Sequence, residues 1–266
     1  MPRVSLRRAD RVSAILERLA ADHSVNATEL AAQFGVSAAT LRRDLQMLED
    51  QKLLSRTHGG ALAQDVAYEL PVRYRGGQNR EQKRAIATLA ASRLPRGPLT
   101  LGLTGGTTTS EVARIIADRV DLTVITNALN IATELALRPR VKIIVTGGVS
   151  RSQSYELVGP LAEQTLLGLN MEVAVVGVDG IDAEGGLTTH DEVEGHTNAT
   201  MIRRAKRVIV VADGSKVGRV HLAGICPVAA IAELVTDSTA DPQALEALRA
   251  AGVTVHVVDS PAPSGH

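Results

Sequence analysis

The sequence predicts an α/β chain in two parts, a small helix-turn-helix head with a β-wing and a larger domain built on a parallel sheet. Three observations carry this. Two helical patterns meet at the short Gly-containing turn FGVS (34–37) and run on into a hairpin-like string around Gly59-Gly60. From Arg80 onward, short Val-rich runs alternate with helical periodicity, the pattern of a parallel sheet covered on both faces. Between the two parts, residues 65–79 contain Pro71 and Gly76-Gly77 without a clear period and read as a linker. The expected boundaries are 8–64 for the head, 65–79 for the linker and 80–258 for the α/β domain.

In the head, Val12, Ile15, Leu16 and Leu19 recur at i, i+3, i+4 and i+7, an apolar stripe on one helix face. A second helix opens at Asn26 as N-cap, with Glu29 three residues on as in a capping box, and Leu30 and Phe34 as its apolar face. Gly35 stops it. Ser37 caps a third helix whose buried stripe is Leu41, Leu45 and Leu48, and KLLSRTHGGAL (52–62) forms the wing. In the larger part, a helix over 80–94 precedes expected strands at 99–103, 122–126, 141–145, 173–178, 207–212, 232–236 and 253–258. Helical patterns such as Val112/Ile115/Ile116 and Leu245/Leu248 lie between them.

Composition narrows the function. The 266 residues carry 29 Lys plus Arg and 29 Asp plus Glu, so any nucleic-acid surface is local and not a property of the whole chain. With no Trp and a single Phe, base stacking on aromatic platforms is close to excluded. The lone Cys226 forms neither an intramolecular disulfide nor a cysteine-rich zinc site. Neither a signal peptide nor a run of about 18 apolar residues is present. The expectation is a soluble cytoplasmic protein with no membrane partner and no cofactor.

A helix-turn-helix sets the start of its second helix against base edges in the major groove. With the leucines inward, Ala38, Ala39, Thr40, Arg42 and Arg43 face outward. Adjacent Arg42 and Arg43 point about 100° apart, so one can read a base while the other holds a phosphate. The alanines and the Thr40 methyl suit a thymine methyl, and Ser37 with the helix amino end suits a phosphate. Lys52, Arg56 and His58 on the wing are candidate phosphate contacts. Arg3, Arg7 and Arg8 read as a mobile tail, with a minor-groove arm as the sharper alternative, and Asp44 reads as a partner of a nearby arginine.

In alternating α/β sheets ligands bind at the carboxyl ends of the strands. There this chain places Gly106 and Thr107–Thr109, then Asn127, Gly147-Gly148, Asp179-Gly180 and Asp213 with Lys216. Thr107, Thr108 and Thr109 at a helix start, with Lys216, suit a phosphate, and Asn127, Asp179 and Asp213 suit sugar hydroxyls. The first loop lacks the GK[ST] of a Walker loop, and no G-x-G-x-x-G occurs, so a nucleotide cofactor has no support. HDEVEGH (190–196) reads as a solvated loop, because His190 and His196 are six apart and share no helix face. The expected ligand is a polyol phosphate, with no metal.

The strings VNATELAAQFGVSAATLRRDLQMLEDQKLLSRTHGGA, TGGTTT, VITNA, VGVDGID and ADGSKVG resemble those of the DeoR family of bacterial transcriptional regulators, over about Arg8 to Asp237. The resemblance implies a winged helix-turn-helix joined to a Rossmann-like sensor domain related to sugar-phosphate isomerases. It also implies a homo-oligomer on double-stranded operator DNA, a phosphorylated sugar as effector, and repression of sugar catabolic or transport genes. Two positions depart from that family's pattern: Thr104, where an acid is common, and Asn198, near where a lysine is common. An isomerase with an accessory DNA-binding head is the alternative; Asp179 and Asp213 are its obvious candidate bases.

Overall fold

The structure is a computed structural model that describes residues 8–63, 71–75 and 79–259. Arg3, Arg7, Gly76-Gly77 and the SPAPSGH tail lie outside the described residues. The chain divides into two compact units, Met1–Gln78 and Asn79–His266.

The first unit runs α1 (Arg8–Asp22), β1 (Ser24–Asn26), α2 (Ala27–Phe34), α3 (Ala38–Asp50), β2 (Ser55–Arg56), β3 (Gly60–Leu62) and α4 (Val72–Arg75). The stripe Val12, Ile15, Leu16 and Leu19 is buried against Leu30, Phe34, Leu41, Leu45 and Leu48. The expected caps form: Asn26 Oδ1 accepts from the Thr28 and Glu29 amides at 2.8 and 3.2 Å, and Ser37 Oγ from the Thr40 amide at 3.1 Å. Gly35 ends α2 in the left-handed region at φ 64°.

The wing has one strand more than the sequence suggests. Its order is β1-β3-β2, with Val25 paired to Ala61. Ser24–Asn26 is too short to show a period of two, so the pairing was invisible in the pattern. Gly60 permits it, because a Cβ there would lie 1.8 Å from the Val25 carbonyl oxygen. Within the expected linker, α4 belongs to the head. Val72 is buried, Tyr74 packs on the head's core, and Ser13 Oγ donates to the Tyr74 carbonyl at 2.6 Å.

The second unit opens with α5 (Arg80–Ser92), β4 (Leu99–Leu103), α6 (Thr107–Ile116), β5 (Leu122–Thr126), α7 (Leu129–Ala136) and β6 (Val141–Val145). It continues with β7 (Val149–Ser150), β8 (Leu157–Val158), α8 (Pro160–Leu167), β9 (Met171–Gly177), β10 (Gly180–Asp182), β11 (Gly186–Thr189) and α9 (Glu192–Arg203). It closes with β12 (Ala205–Val211), β13 (Ala223–Cys226), β14 (Glu233–Asp237), α10 (Pro242–Ala250) and β15 (Thr254–Val258).

All seven expected strands join one sheet in the order β15-β14-β12-β9-β4-β5-β6, and every neighbouring pair is parallel. Alternate residues serve opposite cores: Leu101, Leu103, Val173, Val175, Ile209 and Val211 on one face, Ala174, Val176, Val208 and Val210 on the other. That two-sided burial is why the strands read as continuous aliphatic runs. The hairpin β7-β8 and the antiparallel sheet β10-β11-β13 were not anticipated. Their strands are short and rich in glycine and threonine, too brief to carry a periodic signal.

At the amino end of β14, Glu233 ties several elements together. It pairs with Arg93, which follows α5, and with Arg207 of β12, whose Nε lies 2.8 Å from its Oε1; His256 of β15 lies 3.0 Å from Oε2. Burial pushes this carboxyl up, but the Arg93 and Arg207 guanidiniums outweigh it and hold the group below its ordinary range. A depressed carboxylate lends stability above its unfolded value and loses it as pH falls through the folded one. Glu233→Gln is therefore expected to cost roughly 1–3 kcal/mol at pH 7 in urea unfolding, a gap that narrows below the ordinary glutamate range; a gap that is equal at acid and neutral pH would contradict this.

Candidate functional site

On α3, the periodicity that buries Leu41, Leu45 and Leu48 leaves Ala38, Ala39, Arg42 and Arg43 exposed and Thr40 half-buried. Ser37 is exposed, but its hydroxyl is spent on the cap and sits 2.9 Å from Thr40 Oγ1. Arg42 and Arg43 make no hydrogen bond or ion pair with the described residues, so both guanidiniums are available. Asp44 points the other way. Its Oδ2 accepts from Arg11 Nε at 2.6 Å, with both side chains buried, and its Oδ1 lies 3.5 Å from exposed Arg8. The sequence assigned it that kind of partner.

The wing residues Lys52, Arg56 and His58 are exposed. Lys52 turns the chain out of α3 at φ 56°. Arg56 is braced on α3: its amide donates to Glu49 Oε1 at 2.9 Å and its guanidinium pairs with Gln46. The wing is thereby fixed against the helix whose outward face it flanks.

In the second unit the predicted loop residues all fall at the carboxyl ends of parallel strands. Chain direction along the sheet reverses between β4 and β9, the place where such sheets open a crevice. Thr104 Oγ1 accepts from the Gly177 amide at 3.0 Å and joins the two strand ends. Gly106, at φ 122°, opens α6 without a side-chain cap, so no side chain claims the first amides of that helix. Thr107 is half-buried, while Thr108 and Thr109 are buried and Thr109 Oγ1 donates back to the Gly106 carbonyl. Of the threonines expected to hold a phosphate, Thr107 is thus the accessible one, and Thr108 and Thr109 are buried.

Other predicted residues are spent locally. Asp213 caps the turn over 214–216 through the Ser215 amide. Gly147 and Gly148 follow β6 at the sheet's edge, where Gly148 backs onto Val158. Gly180 is buried under Arg219. Asp179 and Lys216 approach each other, Nζ to Oδ1 3.9 Å, and Asp179 Oδ2 lies 3.1 Å from the Thr189 hydroxyl.

Asn127 is fully buried and does not face outward as a hydroxyl-binding amide would. Its Nδ2 donates to Glu156 Oε2 at 3.2 Å and to Asn198 Oδ1 at 3.1 Å, and its own Oδ1 has no partner among the described residues. Glu156 is the residue the sequence reasoning missed. The turn 151–155, closed by Tyr155 at φ 60°, delivers it to the β5 end, where it bridges Ala128. Its Oε1 accepts from the Gly105 amide at 2.6 Å and its Oε2 from Asn198 Nδ2 at 3.1 Å. A Cβ at Gly105 would lie 2.5 Å from Glu156 Oε1 and 2.6 Å from its Cγ, so a side chain there would displace Glu156. Burial, and secondarily the charge of Glu194, push this carboxyl well above its ordinary range, and the three hydrogen bonds only partly offset them. The one signal in the sequence was an acid inside the apolar run YELV.

The segment 190–196 is a second correction. It is not a solvated loop: Asp191 caps α9 through the Glu194 amide, and Glu194 is buried. Arg151 bridges Asp191 and Glu194 at 3.1 and 3.2 Å. Burial raises Asp191, but the Glu194 amide and Arg151 outweigh it and hold it low. Thr189 Oγ1 lies 2.6 Å from Glu194 Oε1 as well as near Asp179. Among the described residues no group of three or more His, Cys, Asp or Glu is placed to hold a metal ion. Cys226 has its thiol pushed up to about 11 by burial, which leaves it a poor nucleophile.

Residues 11–66 match the DeoR-like helix-turn-helix domain and residues 78–238 the DeoR C terminal sensor domain. A protein of Escherichia coli named for repression of the aga operon is 37% identical over 94% of each chain. The HTH-type transcriptional regulator GlpR of Haloferax volcanii is 36% identical over 93% of this chain and 96% of its own. The glycerol-3-phosphate regulon repressor of Escherichia coli is 30% identical over 88% of this chain and 92% of its own.

The buried Arg11–Asp44 pair yields a direct expectation. Asp44→Ala leaves a guanidinium in the head's core with its closest carboxylate gone, which costs roughly 3–5 kcal/mol. Far-UV melts should show the head unfolding early; a loss below about 1 kcal/mol would mean the pair is not buried as described.

Proposed function

The chain belongs to the DeoR family of transcriptional regulators, and from that membership we propose a repressor of sugar or sugar-phosphate genes whose grip on operator DNA is set by a phosphorylated sugar. The observation that carries the DNA half is the exposed pair Arg42 and Arg43 beside a helix start on a head whose core is complete without them. Ala38, Ala39, Thr40, Arg42 and Arg43 read bases; Ser37, Lys52, Arg56 and His58 take phosphates. The protein acts as a homo-oligomer, with half-sites about 34–36 Å apart or a multiple of that.

The effector's phosphate sits at the amino end of α6, at Gly106–Thr109. Asp179, Asp213 and Lys216 bound the same edge, with Asn127, Gly147, Gly148 and Gly180 shaping it from behind. A coupling of about 1–3 kcal/mol between effector and DNA suffices for a 5–150-fold change in affinity. The family and the names of its relatives are those of regulators, so the isomerase alternative is set aside. No helix among the described residues is long and apolar enough to cross a membrane.

Two measurements test this. In gel shifts with a duplex selected from a random pool by the wild-type protein, Arg42→Ala and Arg43→Ala should each lose about 1–3 kcal/mol of preference for that duplex over random DNA; unchanged preference in both contradicts the assignment. In a thermal-shift panel of pentose, hexose and triose phosphates, a true effector at about one hundred times its Kd adds roughly 2.7 kcal/mol of stability, whereas a panel without any shift contradicts the sensor role.

A further inference from the structure

At the carboxyl edge, no cation among the described residues bonds to the carboxyl of Glu156. Glu156 is buried with three donors that are all neutral: the Gly105 amide, Asn127 and Asn198. The cations of the surrounding elements have other partners. Arg151 bridges Asp191 and Glu194, and Lys216 lies nearest Asp179. On α6, Arg114 pairs with Glu111 and Glu134; on α8, Glu163 adds a further carboxylate near Thr197. Thr189 has a single hydroxyl proton within reach of both Asp179 and Glu194. Asn127 Oδ1, buried, lacks any donor among the described residues.

A phosphate at the amino end of α6 brings negative charge within about two Cα steps, ~7–8 Å, of this carboxyl, because Glu156 is bonded to Gly105 and α6 opens at Gly106. Two anionic groups so close, one of them in a dry interior, are not both stable. We propose that Glu156 couples effector binding to proton uptake: as the phosphate docks on the α6 amides, the carboxyl beneath Gly105 takes a proton from solvent. Glu156 then acts as a positioning residue, holding the loop through Gly105 and tuning its affinity for anions to pH. This rests on the placement of the phosphate at Gly106–Thr109.

The test is calorimetric titration of the full chain with inorganic phosphate between pH 6 and 9, in two buffers of different ionisation enthalpy, for wild type and Glu156→Gln. The variant subtracts the titration of phosphate itself. Wild type should take up more protons than the variant, by up to one per site. Its affinity should fall by up to about tenfold more per pH unit than that of the variant, and the variant should bind more tightly at pH 9. Equal uptake and equal pH dependence in the two proteins overturn the coupling while leaving the phosphate site standing. Absence of phosphate binding in both at every pH overturns the site and the coupling together. Asn198→Ala gives an independent check, because removing a donor to the ionised carboxyl should move the wild-type affinity drop to higher pH; an unmoved drop counts against the proposal.

Discussion

A parallel sheet whose central strands are buried on both faces leaves one place there for polar chemistry, the ends of those strands. That constraint organises the larger unit of this protein. Aliphatic residues of β5, β9, β12 and β14 serve both cores and those of β4 serve one, so the run of glycine, threonine, asparagine and acid at the carboxyl edge stands out against an aliphatic background. The reversal between β4 and β9 then opens the edge where the uncapped α6 points its amides. The head obeys a similar constraint with a different period. Once Leu41, Leu45 and Leu48 are buried, geometry alone turns Arg42 and Arg43 outward.

These constraints explain how much could be read from residues alone. The parallel strands were legible because two-sided burial writes itself as unbroken aliphatic runs, and α2 and α3 because Asn26, Gly35 and Ser37 mark their ends. The strands β1, β10, β11 and β13 were not, since three or four residues with glycine and threonine carry no period. Glu156 was illegible for a further reason. A lone acid in YELV has no motif, and what matters about it is the company of Gly105, Asn127 and Asn198, which come from three separate stretches of chain. The same holds for Glu194, whose burial depends on Arg151 from the hairpin turn and on Thr189.

The two positions that the resemblance singled out take on a physical meaning in this light. Thr104 is not an idle substitute for an acid: its hydroxyl fastens β9 to β4 at the strand ends. Asn198 is a neutral donor to a buried carboxyl, in a region where a cation would have compensated that charge directly. Negative charge at this edge is therefore balanced by amides and by Arg151.

The central claim is that an anion at the carboxyl edge governs how the α3 face meets a duplex. Fluorescence anisotropy of a labelled operator duplex, titrated with the full chain in the presence and absence of saturating sugar phosphate, measures that coupling directly. A 5–150-fold change in apparent Kd is expected for at least one sugar phosphate. DNA affinity that is indifferent to every sugar phosphate the protein demonstrably binds would contradict the account.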